Sequence, residues 1–238
     1  MKLINGLYGD STLLEFILGK LRQGSGNTLA IGVGYFSGDT KVITELGNGL
    51  RSWLSSAPER QIYIYIGDWR VNGTSGSSAP DKSMIVRGVG MLLGILGEFR
   101  GHAEVVFVPE LHAKFYTMWT LSKSDNGATS STLEWASIGS SNISKAALRE
   151  HNIELDVIFE CGSDAPLSFA SELRLFINGL VGQMSDDTEL ESLLDEIVNS
   201  YQDKEQLLRD QAKRNADKNM LDAVAESNST QEIGPRDA

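Results

Sequence analysis

His112 and Lys114 stand two residues apart, Gly139-Ser140-Ser141-Asn142 follows downstream, and Asn152 and Glu154 are again two apart. These residue types suit work on a phosphodiester. Such a group is already an anion, so attack on phosphorus needs a nucleophile that is strong and uncharged. Cations or N–H donors must also surround the non-bridging oxygens. A neutral imidazole meets the first demand, and an ammonium and an amide meet the second. In a strand alternate side chains share a face, so the spacing predicts that His112 projects with Lys114 and Asn152 with Glu154. Gly139 to Asn142 reads as the end of a strand before a short helix that Ser144 caps.

A lone strand histidine is ordinarily a half-buried structural side chain. The company of Lys114, Asn142 and Glu154 argues otherwise. His112-x-Lys114 followed by Gly139-Ser140-x-Asn142 resembles the signature of the phospholipase D superfamily. The continuation Lys145-Ala146-Ala147 and Asn152-x-Glu154 is similar to its small bacterial endonucleases and metal-independent restriction endonucleases. The likeness spans about fifty residues closely and the upstream part only in element order. One position departs from it: the aspartate common five residues after the lysine is Trp119 here, which bears on substrate.

The resemblance implies a mechanism. His112 attacks phosphorus to give a phosphohistidine, and a second histidine protonates the leaving oxygen and then activates water. Lys114 and Asn142 hold the phosphate oxygens, Ser140 is a further donor, and Glu154 accepts the other N–H of a histidine ring. Asn152 is a second candidate contact, though a structural amide serves the residue types equally well. The chain carries one motif copy, so the second histidine is expected from another subunit, in a two-fold homodimer with a composite site. His102 and His151 are the intramolecular alternatives.

The elements that must position these groups follow from periodicity. Ser11 to Leu21 reads as an amphipathic helix on Leu14, Ile17, Leu18 and Leu21. Thr28 to Phe36 reads as a buried central strand with glycines where another backbone comes close. A helix from Gly38-Asp39 to Leu54 and a strand Gln61–Ile66 come next. A loop of Gly, Ser, Asn and Pro fills 71–83, with Arg70 at its entrance able to reach a phosphate or to lie on the surface. A helix Met84–Phe99 and a strand Ala103–Val108 lead into the motif, whose two strands are joined through the turn pair Asn126-Gly127. A helix from Pro166 to Val181 and an apolar stripe of Leu190, Leu193, Leu194, Ile197, Val198 and Tyr201 close the ordered part. The predicted fold is α/β, a layered α-β-α domain with a mixed sheet, phospholipase D-like by the resemblance, plus a C-terminal helical extension. The expected divisions are 1–184 for the catalytic domain, 185–226 for the extension and 227–238 for a disordered tail.

The chain has 238 residues, 41% hydrophobic and 22% charged, and a net charge of −11. The charge is uneven: residues 1–184 carry 15 Lys and Arg against 18 Asp and Glu, whereas 185–238 carry 6 against 14. A nearly neutral front part can present a local positive cleft but no broad basic face. The acidic arm is a candidate site for a partner subunit or a guard over the cleft. Cys161 is the one cysteine, which suits a cytoplasmic chain. No apolar run is long enough to span a bilayer, and Asp10 and Glu15 interrupt the early apolar segment that a signal peptide would need. No metal-ligand spacing and no phosphate loop with Gly-Lys-Ser/Thr are present, so neither a metal nor another cofactor is expected.

Three functions are compatible with these residues. The first is a metal-independent nuclease, DNA before RNA, such as the nuclease subunit of a restriction or phage-defence system. The second is a phospholipase or other small phosphodiester hydrolase or transferase, with no basic amphipathic segment to dock it on a membrane. The third is a non-catalytic assembly protein that keeps the fold. No base-reading module is visible, so sequence specificity would come from elsewhere.

Overall fold

The computed structural model of the chain describes residues 2–5, 12–34, 36, 40–67, 82–108, 111–124, 127, 129–148, 155–160, 167–183, 192, 194–200 and 211, with only the backbone at 2–5, 82–85, 145, 146 and 167. By backbone proximity the chain divides into residues 1–198 and residues 199–238. Within the first unit a seven-stranded sheet has the order β1-β7-β6-β5-β2-β3-β4. Its strands are β1 Lys2–Asn5, β2 Thr28–Val33, β3 Gln61–Ile66, β4 Ala103–Phe107, β5 Lys114–Lys123, β6 Thr129–Gly139 and β7 Leu155–Glu160.

Two of the six strand pairings are parallel and four antiparallel. β2, β3 and β4 run parallel and are joined through α2, Thr40–Ser55, and α3, Lys82–Leu96. Both crossovers step in one direction, so right-handed connection puts both helices on one face. α1, Leu13–Gln23, joins that layer, its Phe16 meeting Trp135 of β6 edge-on at 5.4 Å. β5, β6, β7 and β1 pair antiparallel, and β5 also pairs antiparallel with β2. The other face is covered by α5, Leu167–Val181, whose Leu173, Ile177 and Leu180 pack on Ala30, Phe115, Trp119, Leu133 and Ala136. The predicted layered α/β fold with a mixed sheet is therefore the one observed.

Local chemistry explains the elements. Thr12 caps α1 by a reciprocal pair: its Oγ1 accepts the Glu15 N–H at 3.2 Å, and the Glu15 carboxylate accepts the Thr12 N–H at 2.9 Å. Such a cap contributes about 1 kcal/mol. β2 is buried at every position, as a central strand between β3 and β5 must be. Its Gly32 is required by the ring of Phe115, which occupies the space of a side chain there; the expected close backbone is an aromatic ring. β1 was not anticipated from the sequence and forms an edge beside β7. The stripe after residue 190 is described at Leu194 and Val198, both buried, with Ile197 against Gly90 of α3.

Beyond the sheet proper, Phe36 and Ile143 form an isolated parallel bridge. β2 and β6 are separated by β5 in the sheet, yet their continuations meet here, just past the first residue of β5. Both residues are fully buried.

Candidate active site

The strand directions bring the carboxyl ends of β2, β3, β4 and β6 and the starts of β5 and β7 to one edge. In open α/β sheets ligands bind outside the carboxyl ends of the strands. A ladder of backbone bonds seats the segment before β5 on it. Gly67 N–H donates to Val33 O at 2.9 Å, Val108 N–H to Ile66 O at 2.9 Å, and Leu111 N–H to Val108 O at 3.3 Å. The Leu111 carbonyl then lies where a side chain on Gly67 would have to be, so only glycine permits this seat.

His112 follows. It is exposed and lines an open cleft of about 500 Å³ with Ala113 and with Leu175, Phe176 and Gly179 of α5. β5 begins at Lys114, so strand alternation does not extend to His112. The Phe36–Ile143 bridge occupies the position into which β5 would continue, and residues 111–113 must leave the sheet. Lys114 itself is buried, with 6% exposure, and its Nζ donates to the His112 carbonyl at 2.7 Å. Taking an ammonium out of water costs several kcal/mol, which charge-assisted hydrogen bonds must offset.

The Gly139–Asn142 loop ends β6 beside this segment, with Gly139 opposite Lys114 in the register. Ser140 is exposed, and its Oγ accepts the Leu155 N–H at 3.1 Å. Ser141 is fully buried; its carbonyl accepts the Tyr116 hydroxyl at 3.0 Å, and its own hydroxyl donates to the Asp156 carboxylate. Asn142 is half-buried, and its carbonyl accepts the Ser144 N–H at 2.9 Å. Ser144 caps α4, Lys145–Leu148, as its spacing predicted, with its Oγ accepting the Ala147 N–H at 3.1 Å.

His112, Lys114, Ser140 and Asn142 thus share one edge. Arg70, Asn152, Glu154 and His151 lie outside the described residues. So do Asn126 of the turn pair and most of the glycine-rich loop. His102 is at the other end of the sheet, half-buried, its Nδ1 3.0 Å from Arg60 O and 3.2 Å from Gln61 Nε2. β3 has 6 residues and separates the two histidines, a span of roughly 20 Å. His102 therefore cannot face His112 across one phosphate within a chain. Trp119 is buried in the layer under α5, and its indole N–H donates to Thr117 Oγ1 at 2.9 Å. At five residues along β5 it is roughly 16 Å from Lys114, so the departure from the aspartate pattern falls in the core.

Sequence reasoning passed over Tyr116, Ser141 and Asp156. The available signal was a carboxylate inside the apolar run Leu155–Phe159. Among the described residues no group of His, Cys, Asp and Glu is placed to hold a metal ion, and no helix is long and apolar enough to cross a membrane.

No protein-family model matches the chain, and no curated protein matches it. Among solved structures it is similar to a polyphosphate kinase from Porphyromonas gingivalis, at 10% identity and a TM-score of 0.47, over 78% of this chain and 26% of that one. The chain spans about a quarter of that enzyme's length, and at this score the likeness says nothing about activity.

Proposed function

We propose that this chain is a phosphodiesterase acting as a nuclease, on DNA in the first instance, through a covalent phosphohistidine and without a metal. The observation that supports it most is the exposed imidazole of His112 on the same edge as the Lys114 ammonium and the Gly139–Asn142 loop. A nucleophile that must reach a polymer has to be open to solvent, whereas the groups that hold the phosphate gain by being fixed.

In the first step a nitrogen lone pair of neutral His112 forms a bond to phosphorus and the bond to the leaving oxygen breaks. An imidazolium on the far side gives that oxygen its proton. In the second step water attacks phosphorus, passes a proton to that same imidazole, and the phosphorus–nitrogen bond breaks. Lys114 and Asn142 neutralise the charge on the non-bridging oxygens throughout. Ser140 is a further donor, Glu154 orients a ring by accepting its N–H, and Asn152 and Arg70 are substrate contacts.

The far imidazole is assigned to His112 of a second copy, in a two-fold homodimer. Two features favour that arrangement: His102 is a sheet length away, and the cleft beside His112 is bordered by Leu175 and Phe176, which are 71% and 44% exposed. Apolar side chains that flank a polar site and face solvent are what a second copy would cover. A restriction or phage-defence setting belongs to the same reading, with the acidic arm contacting a partner subunit that selects the sequence.

Incubation with end-labelled DNA, RNA and a phospholipid panel in excess chelator tests the reading. Cleavage of DNA, with a phosphorylated peptide mapped to His112 in rapidly quenched reactions, is the expected result. Absence of cutting of either nucleic acid by dimeric protein would overturn it, and turnover of lipid alone would transfer the same chemistry to the second substrate class.

A further inference from the structure

We propose that Asp156 is a positioning residue for the phosphate-holding loop; this rests on the phosphodiesterase reading. Lys114, Gly139 and Asp156 are aligned across three neighbouring strands, Lys114 opposite Gly139 and Gly139 opposite Asp156. Asp156 is 2% exposed, in a strand where a β-branched apolar residue would fit without cost. A carboxylate at such depth is expensive to bury unless it is hydrogen-bonded.

Its placement shows what it holds. Gly139 has no side chain, and the volume a methyl group would take there is filled by the Asp156 carboxylate and the Leu155 carbonyl. The carboxylate can therefore lie over the end of β6 and accept the hydroxyl of Ser141, which is 0% exposed. From the β5 side the Tyr116 hydroxyl holds the Ser141 carbonyl at 3.0 Å. From β7 the Leu155 N–H holds Ser140 Oγ at 3.1 Å. Ser141 is thus gripped through its side chain and its backbone, between the two residues assigned to the phosphate. Ser141 is turned inward, while on either side of it Ser140 is exposed and Asn142 is half-buried. Asp156 acts on the reaction through Ser141: it fixes where the Asn142 amide stands relative to Lys114 and His112. It touches no reacting atom.

The test compares Asp156→Ala, Asp156→Asn, Ser141→Ala and Gly139→Ala in the full chain. Asn keeps an acceptor for the Ser141 hydroxyl, and an alanine at 139 displaces the carboxylate together with the Leu155 carbonyl. Asp156→Ala, Ser141→Ala and Gly139→Ala should each lower kcat roughly 100-fold with little change in KM, the loss expected when a holding group is displaced by about 1 Å. Asp156→Asn should recover all but a few-fold. Inorganic phosphate, titrated against the His112 imidazole resonances, should bind about tenfold more weakly to Asp156→Ala than to the parent. Should Asp156→Ala melt earlier yet keep kcat and phosphate affinity, its role is structural and the proposal is wrong. Equal losses in Asp156→Asn and Asp156→Ala would also overturn it, since the acceptor would not then be the point. If Asp156→Ala does not fold, Ser141→Ala decides by the same two readouts. Phosphate binding that depends on Asp156 in a protein that cuts nothing would uphold the positioning role and remove the nuclease; no phosphate binding by the parent would remove both.

Discussion

Each end of the sheet carries a histidine beside a buried cation, and the two ends use them differently. At the starts of β2 and β3, Arg60 is 7% exposed; its Nη1 donates to Trp53 O at 2.5 Å, its Nη2 to Gly24 O at 2.6 Å, and its guanidinium lies 4.8 Å from the Trp53 ring. Gly24 and Trp53 close α1 and α2, so the arginine ties two helix ends to the sheet, and His102 is bonded to its backbone. At the opposite end Lys114 is buried as deeply, but the backbone it holds belongs to a residue whose own ring is exposed. At the first end the Arg60 guanidinium secures two helix-end carbonyls. At the second, the Lys114 ammonium secures the backbone of His112 and leaves its ring exposed. A buried cation is thus common to both ends, and what its hydrogen bonds immobilise distinguishes them.

Removing each of the two histidines in turn is the strongest test of that contrast. His112→Ala should lower turnover by roughly 10⁴-fold or more, the scale on which loss of a nucleophile is felt, with an unchanged melting temperature. His102→Ala should do the reverse, leaving turnover intact and lowering stability by about 1 kcal/mol in urea titration. Loss of activity in His102→Ala at full folding would break the comparison. Next in size is Trp119→Asp, which installs the aspartate of the pattern the motif resembles at the structural end, where the Trp119 carbonyl accepts the Asn27 N–H at 2.9 Å. Replacing a buried indole by a carboxylate should cost about 4 kcal/mol and gain no activity. A more active variant would show that the two ends communicate.

The smallest effect is in pH. Burial, with Glu104 and then Tyr63 adding to it, pushes the Tyr65 hydroxyl from 10.0 up to about 12. The unfolded chain loses that proton first, so the stability Tyr65 confers is complete below pH 10 and declines as pH rises towards 12. Urea midpoints measured across that window should fall more steeply in the parent than in Tyr65→Phe. Parallel curves would mean that the hydroxyl is wetter than its 4% exposure implies.

Much of the fold was legible because its signals are local. Leu14, Ile17 and Leu21 recur at helical spacing and are buried; Ile62, Ile64 and Ile66 alternate and are buried; Ser144 caps where a cap was due. The rest depends on partners distant in sequence. β1 is four residues long and is a strand because β7 is beside it. His112 and Lys114 have strand spacing, but the bridge between Phe36 and Ile143 ends the strand between them. At the start of β7 hydropathy points the wrong way: Leu155 is 53% exposed, and Asp156 is inside because a glycine on the next strand makes room for it. No pattern along one strand reveals a vacancy on its neighbour.

The Phe36–Ile143 bridge has one further consequence. Because Leu111, His112 and Ala113 have no strand pairing, the backbone that carries the imidazole is set by the Leu111 N–H bond to the Val108 carbonyl and by the Leu111 carbonyl over Gly67, not by the register of a strand. A side chain at Gly67 would therefore move the imidazole while the pairing of β5 stays as it is.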